Sequence, residues 1–269
     1  MIAVPHIIRL EEVPLSTFAP FDPAAMAGQV ALVTGAGGGI GGAIARRFGG
    51  LGMRLVLADL NADAVEATAA SLPEAEVLTW SGNLTIEPDV KELFRQIMER
   101  FDRLDVAVNT AGMLRIRPFE EIGKAEWDQV MDANAGSAFL VCRECCAPMR
   151  RQRSGRIINF SSISGQTGGI LSGAHYAAGK AAVISITRSV AKLLAPYGVR
   201  CNAIAPAGVD TEMLRQYTAE QQESLRLGIP VGRFGVAEEI AELVLWLASP
   251  ATDFITGQTI NINGGAYLG

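Results

Sequence analysis

The sequence predicts an α/β fold, a doubly wound, seven-stranded parallel sheet with helices on both faces. Three observations predict it. Seven short runs rich in β-branched and apolar residues alternate with helix-patterned stretches. Those runs are apolar nearly throughout, as strands covered on both faces are, instead of alternating with polar residues. A glycine-rich turn, Thr34 to Gly41, follows the first run and opens a helix.

In chain order, residues 1–27 hold Pro5, Pro14, Pro20 and Pro23 among mixed apolar residues, which interrupts both helical and strand periodicity. They are expected to form an extended N-terminal arm, with one domain over 28–269. QVALVTG (29–35) reads as the first strand, followed by a helix whose inward face is Ile40, Ile44 and Phe48. RLVLAD (54–59) and EVLTW (76–80) are the second and third strands, LDVAVNTAG (104–112) the fourth and GRIINFSS (155–162) the fifth. VRCNAIAP (199–206) and ITGQTINING (255–264) complete the sheet. Helical stretches between runs supply the crossovers that parallel strands need. This is a Rossmann-type order, in which ligands bind beyond the carboxyl ends of the strands where the strand order reverses.

The chain has 269 residues, 49% hydrophobic and 19% charged, which suffices for a sizeable core and argues against disorder beyond the N-terminus. A net charge of −5 disfavours a general nucleic-acid or membrane-surface binder. No apolar run approaches the roughly 20 residues of a membrane span, and the N-terminus lacks a basic stretch followed by an apolar one. A cytoplasmic protein with a small-molecule substrate is expected. Cys142, Cys145 and Cys146 fall on one expected helix and Cys201 on a strand, with His6 and His175 the only histidines, so neither zinc nor structural disulfides are expected.

Two clusters carry chemistry. Gly35, Gly37, Gly39, Ile40 and Gly41 form the turn and helix start, where glycines let backbone approach a pyrophosphate and the helix N-terminus offers free N–H groups. Asp59, followed by Leu60, ends the second strand, where a carboxylate accepts from adenosine ribose hydroxyls and repels a 2′-phosphate. No Lys or Arg stands at 36–38 or 60–61 to offset it, so the expected cofactor is NAD. Further on, Tyr176 and Lys180 are four apart on a helix and share one face, so the ammonium can favour the phenolate.

With N-T-A-G at Asn109–Gly112, Asn134 in the next helix, the serines of IINFSS, N-A-I-A-P at 202–206 and G-Q-T-I-N-I-N-G-G near the end, the chain resembles the short-chain dehydrogenase/reductase family, compact branch, over essentially all of 28–269. The resemblance implies a catalytic tetrad of Asn134, Ser162, Tyr176 and Lys180. Tyr176 would exchange a proton with the substrate oxygen during hydride transfer, Ser162 would hydrogen-bond that oxygen, and Lys180 would hold the nicotinamide ribose. Asn134 would anchor, through its backbone carbonyl, a water linking Lys180 to bulk solvent. A free phenol near 10 is a poor base at pH 7, and each unit of depression needs about 1.4 kcal/mol. Ser161 competes for the serine role. The resemblance adds Asn83 and Leu84 near the adenine, Asn109, Ala111 and Gly112 along the ribose, and Val209 and Thr211 at the carboxamide. Asn83 stands where the family commonly has Asp, and Pro206-Ala207-Gly208 replaces the usual Pro-Gly.

By the same analogy residues 113–117, 163–175 and 207–232 line a largely apolar pocket, contributing Met113, Ile170, Leu171, His175, Met213, Leu214 and Tyr217, with 207–232 as its lid and Arg115 and Arg117 at its rim. The expected activity is NAD-dependent oxidoreduction of a secondary alcohol or ketone by a homotetramer. Two alternatives stand beside it: a 3-oxoacyl-carrier-protein reductase using NADPH, and a non-catalytic NAD-sensing or scaffold protein.

Overall fold

In the computed structural model, which describes residues 19–169 and 171–269, seven parallel strands form one sheet. They are β1 (Val30–Thr34), β2 (Arg54–Asp59), β3 (Val77–Ser81), β4 (Val106–Asn109), β5 (Gly155–Phe160), β6 (Val199–Pro206) and β7 (Thr259–Ile262), ordered β3-β2-β1-β4-β5-β6-β7. The order reverses between β1 and β4, so Thr34 of β1 stands in register with Ala58 on one side and Asn109 on the other. A crevice therefore opens where the expected ligand residues end their strands.

Successive residues of each strand face opposite layers. Ala31 and Val33 pack with Ile44 and Phe48 of α1 (Gly39–Gly49) and with α9 (Ala237–Ala248). Val30 and Leu32 pack with α3 (Glu87–Phe101), α5 (Ser137–Gln152) and α7 (Ala174–Leu194). In α3 the buried set Val90, Leu93, Phe94, Ile97 and Phe101 repeats at three and four residues, giving one apolar stripe. Shorter helices α2 (Ala62–Ala70), α4 (Lys124–Met131), α6 (Ser164–Thr167) and α8 (Ala219–Leu227) complete the chain, and a π turn, Asp132–Gly136, joins α4 to α5.

Strand ends shift by a residue or two from the sequence expectation at β1, β3 and β5, and three larger differences have a physical cause. β4 stops at Asn109 because the next residues turn back onto β1: the Thr110 hydroxyl donates to the Thr34 carbonyl, and the Ala111 N–H donates to Thr34 Oγ1 at 3.2 Å. β7 begins only at Thr259, since the Asn202 side chain clips the preceding residues, donating to Ile255 O (2.9 Å) and accepting from Gln258 N (3.0 Å). The expected arm is also shorter at its C-terminal end. A 3-10 turn at Pro23–Met26, capped by Asp22, sets Met26 fully into the core, so packed structure begins before residue 28. The rest of the arm, residues 1–18, lies outside the described residues.

Candidate active site

The site starts where β1 ends. Gly35 adopts φ +64, a conformation L side chains rarely tolerate, and a β-carbon on Gly41 would sit 2.2 Å from the Gly35 carbonyl oxygen. The sequence thus lets α1 begin directly against its own turn. No side chain caps α1 at Gly38, so its first N–H groups remain free for an anion. Ile40 lies at the mouth of the neighbouring cleft, and Gly39 faces Thr211 from the far side.

Asp59 braces this turn. Its Oδ2 accepts from Gly37 N at 2.9 Å and its Oδ1 from Asn61 N at 3.0 Å, while Leu60 beside it is exposed. A carboxylate fixed at that strand end, next to free helix N–H groups, fits a dinucleotide: the anion goes to the helix and the ribose hydroxyls to the carboxylate.

Asn83 Oδ1 accepts from the backbone N–H and the hydroxyl of Thr85 (3.0 and 2.9 Å), which turns the side-chain oxygen back onto its own loop. Leu84 is buried in the core on the α3 side. Asn109 likewise turns inward, its amide donating to Asn159 Oδ1 at 2.7 Å, and Asn159 donates to Thr187 on α7 at 2.9 Å. Ala111 and Gly112 follow Asn109 beyond the end of β4, where the Ala111 N–H meets Thr34 Oγ1.

The four catalytic candidates converge from different elements. Tyr176 and Lys180 lie one turn apart on α7, both buried, with Lys180 Nζ 5.6 Å from the Tyr176 ring centroid and donating to Phe160 O at 2.9 Å. Burial pulls the Lys180 ammonium down to about 8 and pushes the Tyr176 phenol up to about 12, against a lowering hydrogen bond from Ser162. Desolvation is the largest cause at both groups, and the group that lowers Tyr176 is Ser162. Asn134 sits within the π turn, its Nδ2 donating to Met113 O and Val130 O (2.8 and 2.9 Å). Its Oδ1 is buried without a partner among the described residues. A β-carbon on Gly112 would lie 2.6 Å from that oxygen and 3.1 Å from Lys180 Nζ, so both atoms face Gly112. An open acceptor beside an ammonium suits a hydroxyl-bearing ligand or a water.

The two serines separate cleanly. Ser161 Oγ donates to Lys180 O at 2.8 Å, inside the fold, whereas Ser162 Oγ accepts from Ser164 N at 3.1 Å and keeps its own proton available toward Tyr176.

Above them opens a cleft, with Ser162, Tyr176 and Lys180 on one wall and Met213, Leu214, Tyr217 and Leu225 on the other, and Leu114, packed with Tyr176, also in its lining. The segment after β6 forms that second wall. It is pinned by a bridge between Val209 and Gly235 and by α8, whose start is closed by reciprocal bonds between Thr218 and Gln221. Ala207 and Gly208 form part of the cleft lining, and Val209 is buried.

Met113 and Leu171 do not line this cleft, and Ile170 lies outside the described residues. His175 is not a pocket wall either. As the immediate neighbour of Tyr176 it is rotated about 100° around the helix. It is fully buried, accepting the Tyr176 N–H at Nδ1 (3.0 Å) with Nε2 3.1 Å from Glu126 Oε1. Arg117 pairs with the same Glu126 at 3.2 Å, and so is already partnered at the rim. Ser164 and Ser172, inside the 163–175 stretch expected to line the pocket but not singled out within it, line the cleft as well. The Glu126–His175 pair, 49 positions apart, left no signal in the sequence.

Comparison with known proteins gives a consistent result. The family described as Enoyl-(Acyl carrier protein) reductase matches residues 35–267. The chain is 35% identical over 243 residues to 3-oxoacyl-[acyl-carrier-protein] reductase FabG of Aquifex aeolicus, covering 89% of this chain and 98% of that one. It is 38% identical over 252 residues to the 3-oxoacyl-[acyl-carrier-protein] reductase of Synechocystis, at 91% and 99% coverage. Among solved structures, levodione reductase superposes with a TM-score of 0.85 at 32% identity, over 89% of this chain and 97% of that one.

Proposed function

The chain belongs to the short-chain dehydrogenase/reductase family of nicotinamide-dependent oxidoreductases, and from that premise we propose that it interconverts a secondary alcohol and a ketone using NAD(H). The observation that carries the reading is the cluster of half-buried Ser162 with buried Tyr176 and Lys180 at the foot of a mostly apolar cleft, beside a glycine turn braced by Asp59. The dinucleotide, when bound, supplies the hydride chemistry; the remaining work falls to side chains of this chain.

Ser162 Oγ donates to the substrate oxygen and steadies its developing charge. Tyr176, held near 12, is protonated at neutral pH, which is the form that ketone reduction consumes as the phenol gives its proton to that oxygen. Lys180, held near 8, carries a proton close to its release point and is suited to restoring the phenol's. Lys180 and the open Asn134 oxygen hold the ribose side, Gly35, Gly37, Gly39 and Gly41 the pyrophosphate, and Asp59 the adenosine ribose. Asn109, Ala111, Gly112, Val209 and Thr211 shape the remaining dinucleotide groove. Apolar Met213, Leu214 and Tyr217 enclose the substrate.

A second reading, reduction of a 3-oxoacyl-carrier-protein thioester with NADPH, draws on the names of the curated relatives, which favour it over a general alcohol dehydrogenase. Asp59, with no basic residue at 36–38, speaks against its cofactor. We take the enzyme to be cytoplasmic and tetrameric, pairing through α5 and α7, on which Phe139 and Leu193 are exposed; no described helix is long and apolar enough to cross a membrane. Steady-state rates with NADH and NADPH against simple ketones and 3-oxoacyl thioesters separate the two readings. Higher kcat/KM with NADH supports the first, and NADPH-dependent turnover confined to thioesters replaces it with the second.

A further inference from the structure

The walls of the cleft meet beside the catalytic phenol. Leu114, from the loop after β4, and Val130, from α4, are buried with Tyr176 in a small apolar cluster, and Tyr217, from the segment after β6, packs onto that cluster. Burial pushes the Tyr176 phenol up and the Tyr217 phenol adds to it, as two rings close to each other would. Leu114, Tyr176 and Tyr217 all line the cleft, so it is shut where they touch. Met213, which lines it too, is 38% exposed and marks its mouth.

Tyr217 is also fixed at its root. Its N–H donates to Leu214 O at 3.1 Å, and its carbonyl accepts from Gln222 Nε2 at 2.9 Å. The next residue, Thr218, caps α8 through its reciprocal bonds with Gln221. Backbone movement that withdrew the ring would break bonds on both sides of it, so a substrate meets a wall there that yields little.

Resting on the proposed ketone chemistry, we infer that Tyr217 and Leu114 form a steric stop beside the reacting carbonyl, which selects ketones with one small substituent, methyl ketones above all. A carbonyl carbon carries two substituents that diverge from its oxygen. With that oxygen on Ser162 and Tyr176, one substituent points at the stop and the other runs toward the mouth at Met213. A carbonyl in mid-chain forces extra methylenes against the stop, each costing about tenfold or more in discrimination.

The test compares 2-octanone with 4-octanone, isomers of equal composition, in the full-length enzyme with NADH and with NADPH. The wild type is expected to favour 2-octanone about tenfold or more in kcat/KM. Tyr217→Ala narrows that ratio at least about fivefold by making room for the longer arm, whereas Tyr217→Phe, which keeps the ring, holds it within about twofold of wild type. An unaltered ratio in Tyr217→Ala, or a collapse as deep in Tyr217→Phe, overturns the stop. A wild type that reduces both isomers equally well overturns it while leaving the proposed function standing. Reduction of neither isomer by an enzyme that binds the dinucleotide overturns both.

Discussion

The Ser161 hydroxyl donates to the backbone carbonyl of Lys180 across 2.8 Å, tying the end of β5 to the helix that carries Tyr176. The bond assigns the two adjacent serines different tasks. Ser161→Ala removes a buried hydrogen bond and is expected to cost about 1 kcal/mol of stability with kcat within about threefold of wild type. Ser162→Ala removes the donor to the reacting oxygen and is expected to lower kcat about a hundredfold with little loss of stability. Urea denaturation and steady-state kinetics on both variants check this; the reverse pattern would assign the catalytic hydroxyl to Ser161.

Asp59 faces two ways, bracing Gly37 and presenting a charge to the ribose side of the groove. The wild type is expected to prefer NAD(H) over NADP(H) by about a hundredfold in kcat/KM, and Asp59→Ala to narrow this to less than about tenfold by removing the repulsion. The variant also loosens the turn, so the KM for NAD(H) rises. Equal use of both dinucleotides by the wild type contradicts the assignment.

Lys180 gives a pH signature. Its folded value is about 8 against an ordinary 10.5, so between those limits the unfolded chain binds a proton the folded protein lacks, and stability rises with pH across that window. Below 8 the penalty for burying the ammonium is present in full. Tyr176 acts with the opposite sign only above its ordinary 10, lowering stability there as pH climbs toward 12. Lys180→Met lacks the first effect and shares the second. The stability of wild type relative to this variant is therefore expected to rise by roughly 1–3 kcal/mol from pH 7 to pH 10. Denaturant curves at both pH values measure it, and a constant difference contradicts the buried ammonium.

His175 is expected to position Tyr176 through the backbone. Because Nδ1 accepts the Tyr176 N–H, a neutral imidazole carries its proton on Nε2 and donates it to Glu126. His175→Leu is expected to lower kcat about tenfold while the KM for the dinucleotide changes less than about twofold. His175→Asn, with an acceptor near the place of Nδ1, recovers most of the loss. Equal kcat in the two variants would show that filling the space is all that matters.

The sheet was readable from sequence because strands buried on both faces are apolar throughout; six fall within the expected runs and β3 passes its run by one residue, Ser81. Strand ends were read too long where a side chain, Thr34 or Asn202, takes over the backbone pairing, and such contacts leave no periodic trace. Tyr176 and Lys180 were legible because one helical turn brings them together. The orientation of Asn83 toward Thr85, the inward turn of Asn109, and the dominance of burial at Tyr176 depend on local bonds and tertiary enclosure. The Ser164–Ser172 pair, eight residues apart, is a contact that spacing alone does not fix.

The central claim is that Tyr176 transfers the proton in a hydride-transfer site that this chain builds. The most direct measurement is dinucleotide-dependent ketone reduction by wild type and Tyr176→Phe, with dinucleotide affinity measured on both by calorimetry. The account predicts that the variant loses at least about a thousandfold in kcat while binding the dinucleotide within about threefold of wild type. A variant that retains near-wild-type turnover would contradict it.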